Sequence, residues 1–191
     1  LGEYLIVPRD GKGEELGYFD LDSRYAHCGY FQTHSELFDP SKKLGPFVYD
    51  MLIELGTLLG GWVAPSGNPS GAIEDKKEGE NAIGVWVHYF EKRKDLEKKK
   101  INLNKNCFPF DGVRHSTLET LYNNPLYKEK MKKVIPAIMH KYRKKPVFLS
   151  QLKKMGKIEA SSDILDMIPG KEPEQPKERE QFKLNFKKSG M

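Results

Sequence analysis

Residues 46–63, PFVYDMLIELGTLLGGWV, are the only run in the chain that is both long and mostly apolar, so any fold must first find cover for it. At helical spacing Phe47, Met51, Leu55, Leu58 and Trp62 share one face, widened by Val48, Leu52 and Leu59. Asp50, Glu54, Thr57 and Gly61 line up opposite, which predicts a buried helix with one narrow wet stripe. Asp39 or Ser41 can cap its approach, Pro46 suits a first-turn position, and Gly60-Gly61 followed by Pro65 supplies the stop. Gly56 and Gly60 lie one turn apart, a spacing that lets another helix approach closely, and are candidate partner contacts. A membrane span is disfavoured, because each of the two carboxylates would cost about 2.5–3.5 kcal/mol at the centre of a bilayer. The run also barely reaches the roughly 20 residues a crossing needs. The core helix of a globular domain is the expectation, with contact along a membrane surface or a membrane-embedded partner as the alternative.

Charge is divided along the chain. Residues 1–90 hold 7 Lys/Arg against 14 Asp/Glu, and residues 91–191 hold 25 against 13, so the net +5 conceals an acidic half and a basic half. Such polarity suits an acidic or polyanionic neighbour on the basic side: RNA, anionic lipid headgroups or an acidic protein. Attraction between the two halves is the plainer account. Two cysteines, Cys28 and Cys107, exclude a disulfide framework and fit a reducing compartment. The chain starts at Leu1 rather than Met, which would suit an imported organelle protein whose leader has been removed.

In chain order, EYLIVP (3–8) and ELGYFDL (15–21) flank Arg9-Asp10-Gly11-Lys12-Gly13 and predict a β-hairpin. Residues 22–39 read as aromatic and irregular, and 64–81, rich in Pro, Gly, Ser and charge, as an exposed loop. IGVWVHYF (83–90) reads as a central strand, apolar on both sides, and EKRKDLEKKK (91–100) as a solvated helical turn or charged arm. Ser116-Thr117-Leu118-Glu119 has capping-box spacing, and Asn124-Pro125 opens a helix that Pro136 ends or kinks, with 137–143 continuing its apolar line. Val147–Leu149 reads as a short strand, 150–156 as a turn of helix closed by Gly156, and 163–168 as a helix capped by Ser162. The final stretch, KEPEQPKEREQFKLNFKKSGM, has the composition of a segment that builds no core of its own. Phe182, Leu184 and Phe186 alternate within it and are candidate anchors for a strand added to a partner's sheet.

The expected fold is α+β: a small N-terminal hairpin or sheet packed on the central apolar helix, then a basic helical region and an extended C-terminal tail. Residues 1–168 read as a single α+β domain, acidic over 1–90 and basic over 91–168, and residues 169–191 as a tail ordered only by a partner.

Chemical constellations are few. Asp20, Asp22, His27, Cys28 and His34 mix metal-ligand types within fifteen residues, but without HExxH, CxxC or paired-finger spacing. Asp20, Asp22, His27 and His34 are therefore weak metal candidates, more simply read as hairpin-end carboxylates and packed or surface histidines. His88 reads as a packed histidine at the edge of the core. Cys28 and Cys107 lie in no nucleophile motif, and DGKG (10–13) lacks the order of a phosphate loop. No catalytic residue and no cofactor is assigned. The basic tract is the strongest partner signal. Residues 128–157 hold 11 Lys/Arg and one acid, Glu129, with Tyr127, His140, Tyr142 and Phe148 interleaved. Lys132, Lys133, Lys141, Arg143, Lys144 and Lys145 are the polyanion-binding candidates, and a lysine-dominated set suits charge matching better than base reading.

The expectation from these residues is a non-catalytic accessory subunit of a large organellar assembly, such as a mitochondrial membrane complex. It would be bound to other protein subunits, with no transmembrane span of its own. A ribosomal-type RNA-binding protein using 128–157 is the alternative, and a metal-dependent enzyme the second.

Overall fold

The computed structural model describes residues 3–10, 12–23, 26, 29–36, 45–65, 79–101, 125, 128–170 and 184–188. They form a mixed α+β fold. The chain divides into two compact units, Leu1–Val63 with Arg143–Met191, and Ala64–Tyr142. The expected single domain over 1–168 is thus parsed differently, one unit being interrupted by the other.

In the first unit β1 (Glu3–Pro8) and β2 (Tyr18–Asp22) form the predicted hairpin, antiparallel with Tyr4 opposite Leu21 and Ile6 opposite Phe19. Its turn is closed by Asp10, whose Oδ1 accepts from the N–H of Lys12 (2.9 Å) and of Glu14 (3.0 Å), while Gly13 takes φ +87°. β3 (Phe31–Glu36) adds to β2 where the sequence suggested irregular chain. Gln32, Ser35 and Glu36, weak strand formers, are recruited because the neighbouring strand offers a ladder.

Between β3 and the return of the chain lies α1 (Gly45–Leu58), the predicted central helix. Phe19 and Tyr49 meet edge-to-face, 6.1 Å between centroids, where α1 packs on β2. Its cover is more complete than the sequence suggested: every residue from Met51 to Gly56 is buried, including Glu54 on the expected wet stripe, whereas Phe47 of the apolar face is exposed. The helix stops as predicted. Gly60 sits at φ +81°, its N–H bonding to the carbonyl of Thr57 (3.0 Å), and the N–H of Gly61 reaches the carbonyl of Gly56 (2.9 Å). Nothing crowds Gly60, so Gly60→Ala carries only the backbone penalty. We expect a loss of about 1–2 kcal/mol, read as a lower urea midpoint with an unchanged slope.

The basic region does not read as the sequence suggested. β4 (Val63–Pro65) is followed by α2 (Gly79–Glu91), which contains the residues expected to form a central strand. Trp86 and Tyr89, three apart, are buried, while Gly84, His88 and Glu91 line the exposed stripe. An octad apolar on both sides satisfies a helix as well as a buried strand, and the Gly-Glu-Asn-Ala lead-in lets the helix win on length. β5 (Glu97–Lys100) replaces the expected charged arm. α3 (Lys128–Ile138) runs through Pro136 before the chain turns into β6 (His140–Arg143), so the expected helical continuation over 137–143 is a strand instead. Pro136 lies in the last turn of α3, where it has no N–H to donate to the carbonyl four residues back, and the helix ends two residues later. Past it, the Tyr142 hydroxyl donates to the carbonyl of Ala137 (2.6 Å) and His140 Nδ1 meets that of Pro136 (2.6 Å). β6 lies between β5 and β4.

Back in the first unit, α4 (Val147–Lys154) replaces the short strand expected over 147–149, and Gly156 closes it as predicted, at φ +63°. β7 (Ile158–Glu159) leads to α5 (Ser162–Met167), whose N-cap position is Ser161, one residue earlier than read and without a side-chain cap hydrogen bond. Lys153 covers the end of α5, its Nζ donating to the carbonyls of Leu165 (2.6 Å) and Ile168 (2.9 Å). β8 (Leu184–Lys188) inserts between β1, antiparallel, and β7, parallel, so that the first unit's strands run β3-β2-β1-β8-β7. The strand expected to join a partner's sheet therefore completes this chain's own, because β1 offers an unfilled edge on that side. No described helix is long and apolar enough to cross a membrane.

Candidate functional site

Among the described residues, Asp50, Glu54 and Lys144 gather where residues 143–149 cross α1. Leaving β6, the chain passes through Lys144 and Lys145 and turns at Pro146, where the N–H of Val147 donates to the carbonyl of Lys145 (2.8 Å) and α4 begins. Arg143, Lys145 and Val147 are open to solvent, while Lys144, Pro146 and Phe148 are partly covered. Along the covered side the contacts descend α1 turn by turn. The N–H of Lys144 donates to Thr57 Oγ1 (3.1 Å), whose own hydroxyl donates to the carbonyl of Ile53 (2.8 Å). Lys144 Nζ lies 3.1 Å from Asp50 Oδ2 and 3.3 Å from Glu54 Oε1. The ring of Phe148 meets that of Phe47 edge-to-face, with centroids 4.2 Å apart.

Glu54 is the centre of this crossing. Its side chain has no exposure, and its two oxygens accept from the N–H of Phe148 (3.1 Å) and of Leu149 (2.7 Å) at the start of α4. Pro146, the residue at the N-cap position, offers no side-chain acceptor. A carboxylate from another helix supplies the cap that the local sequence lacks, and its charge suits the positive end of α4. Burial pushes the Glu54 carboxyl above the ordinary carboxylate range, while the two backbone N–H groups and the Lys144 ammonium pull it back. This site was missed from sequence. The signal available was an acid pair at i and i+4 on the most apolar helix of the chain, which requires a cation if that face is to be covered.

The structure redistributes the polyanion-binding candidates. Lys132, Lys133 and Lys141 belong to the second unit, and Arg143, Lys144 and Lys145 to the first. Lys132 is exposed but paired with Glu129 (2.6 Å), Lys133 is exposed, and Lys141 is half-buried. Lys144 leaves the list: with its side chain 12% exposed and held by two carboxylates, it is an interior counter-ion. Arg143 and Lys145 remain on the surface, the Arg143 guanidinium 5.8 Å over the ring of Trp62.

Of the metal candidates, Asp20 lies directly opposite His34 across β2 and β3, and Asp22, nearly buried, lies opposite Gln32. His27 falls outside the described residues. Among those described, no three His, Cys, Asp or Glu side chains gather in a metal-binding cluster. Cys28, Cys107 and the 116–119 capping box also fall outside. His88, expected to be packed, is an exposed residue of α2.

The proposed partner contacts resolve internally where they are described. At Gly56 the space for a Cβ is taken by the Val63 side chain of the same chain, with Phe31 next, so the close approach serves this fold and not a second helix. Gly60 is the helix cap. Leu184 and Phe186 sit in β8, in register with Pro8 and Ile6 of β1, while Phe182 lies outside the described residues. No protein-family model, curated protein or solved structure matches the chain.

Proposed function

We propose that this chain is a non-catalytic accessory subunit of a large multi-subunit assembly, holding other proteins rather than turning over a substrate. The observation that carries this reading is the use made of its interior ionisable groups. Glu54 and Asp50 are bound to Lys144, and Glu54 also to backbone amides of its own fold, an arrangement that commits these three groups to securing structure. Among the exposed residues, Arg143 and Phe47 are of the kinds enriched in protein contacts, and Lys145 and Val147 are exposed beside Arg143 in the chain. The assembly we propose is organellar, a mitochondrial membrane complex, with the basic half of the chain countering acidic subunits or lipid headgroups at its periphery.

RNA is the second reading, favoured by the exposed lysines of the 128–157 tract. One preparation separates the two. The endogenous chain, isolated at low and at high salt, sized and treated with nuclease, should migrate in a nuclease-resistant particle rich in membrane proteins and recovered from mitochondria. A particle that collapses under nuclease transfers the assignment to RNA, and a lone monomer overturns both.

A further inference from the structure

The outward side of residues 143–149 is a surface in its own right. Lys144 directs its charge into the fold, but Arg143 and Lys145 are exposed, and no carboxylate among the described residues pairs with either. Beside them the starts of α1 and α4 leave large apolar side chains in water: Phe47 is 42% exposed and Val147 is 56% exposed. The Phe47–Phe148 ring contact, at 4.2 Å, brings the two helix starts together, and Lys145 stands two residues before Val147 at the start of α4, while Arg143 lies over Trp62, past the other end of α1.

We infer that this face docks an acidic segment of another protein subunit. Carboxylates of the partner would lie against Arg143 and Lys145, and one apolar side chain would cover Phe47 and Val147. The inference rests on the accessory-subunit reading and specifies its contact. The charge of the face selects the partner's charge, since two unneutralised cations on one short stretch match a pair of carboxylates. The apolar corner selects protein over nucleic acid: a phosphate backbone would engage the cations and leave Phe47 and Val147 wet, whereas protein interfaces bury such side chains at the core with Arg beside them.

The test uses the endogenous assembly and a zero-length carbodiimide, which joins a lysine amine only to a carboxylate in direct contact. Lys145 should cross-link to aspartate or glutamate of another subunit, and Lys145→Gln should abolish that product. The doubly substituted chain K145E/V147S alters two exposed positions, so the purified protein should keep its thermal midpoint. Its incorporation into the assembly should fall at least about tenfold, the effect of roughly 1.4 kcal/mol. If Lys145 forms no cross-link to protein, cross-links to RNA under ultraviolet light instead, or if K145E/V147S incorporates like the parent, the docking face is wrong while the accessory-subunit reading stands. If the parent chain itself enters no assembly, both fall.

Discussion

Glu54→Ala should lower the stability of the protein by about 3–5 kcal/mol, the range seen when one member of a buried ion pair is removed. The substitution removes the acceptor for two backbone N–H groups at the start of α4, and it takes from Lys144, 12% exposed, one of the two carboxylates that hold it. Equilibrium urea unfolding gives the number; a change below about 1 kcal/mol, the scale of an ordinary surface substitution, would show that α4 does not depend on this cap. Glu54→Gln supplies the companion measurement. Since burial raises the Glu54 carboxyl above its unfolded value, the folded state binds that proton more tightly, and its contribution is fully present below the unfolded value, near pH 4.3. It is lost as pH rises through the raised folded value. The stability of the parent relative to Glu54→Gln should therefore increase as pH falls from 7 toward the unfolded value, opposite to the direction expected of a salt-bridged surface carboxylate. A relative stability that falls over the same interval would mean that Lys144 and the amides outweigh burial.

Gly56→Leu should be nearly as damaging. A side chain at position 56 would enter space already held by the Val63 side chain and, beyond it, Phe31, both buried. Overpacking of this kind costs about 1–3 kcal/mol even for a few added methylenes, and a leucine adds more than that. Gly56→Ala is the finer probe. Its gain in helix propensity, about 1 kcal/mol, opposes the clash, and Val63→Ala in the same chain should restore most of what is lost. Calorimetric midpoints of the two single variants and the double would show the coupling. Additive losses would mean that Gly56 is not held against Val63.

The elements legible in the sequence were those whose signals are local. The hairpin was announced by Asp10 and the glycines between two β-prone runs, and the ends of α1 and α4 by Gly60 and Gly156, because a left-handed cap requires a residue without a Cβ. The central helix could be placed, but not its surroundings. Periodicity describes one element at a time, so Asp50, Glu54 and Thr57 read as a stripe facing water when they face residues 144–149, some 90 positions later in the chain. For the same reason α2 was mistaken for a strand, and Leu184 and Phe186 were offered to a partner while the edge of β1 was the nearer acceptor. Of the candidate site, Arg143 and Lys145 were picked out by composition alone. Phe47 reads as part of the buried face, since nothing local distinguishes an apolar residue at the covered end of a helix from one at its open end.

The interrupted layout of the first unit bears on how the protein is made. Val63 is the last residue of its amino-terminal part and Arg143 the first of its carboxyl-terminal part, so about 80 residues of the second unit are synthesised in between. At about 5–20 residues per second, the ribosome needs roughly 4–16 s to cross them. Throughout that interval α1 lacks the counter-ion for Glu54 and the helix that Glu54 will cap, and β1 lacks β8, which emerges last of all. Until then the nascent chain carries its most apolar helix and an open strand edge without their covers, so the first unit can close only after the second has been made.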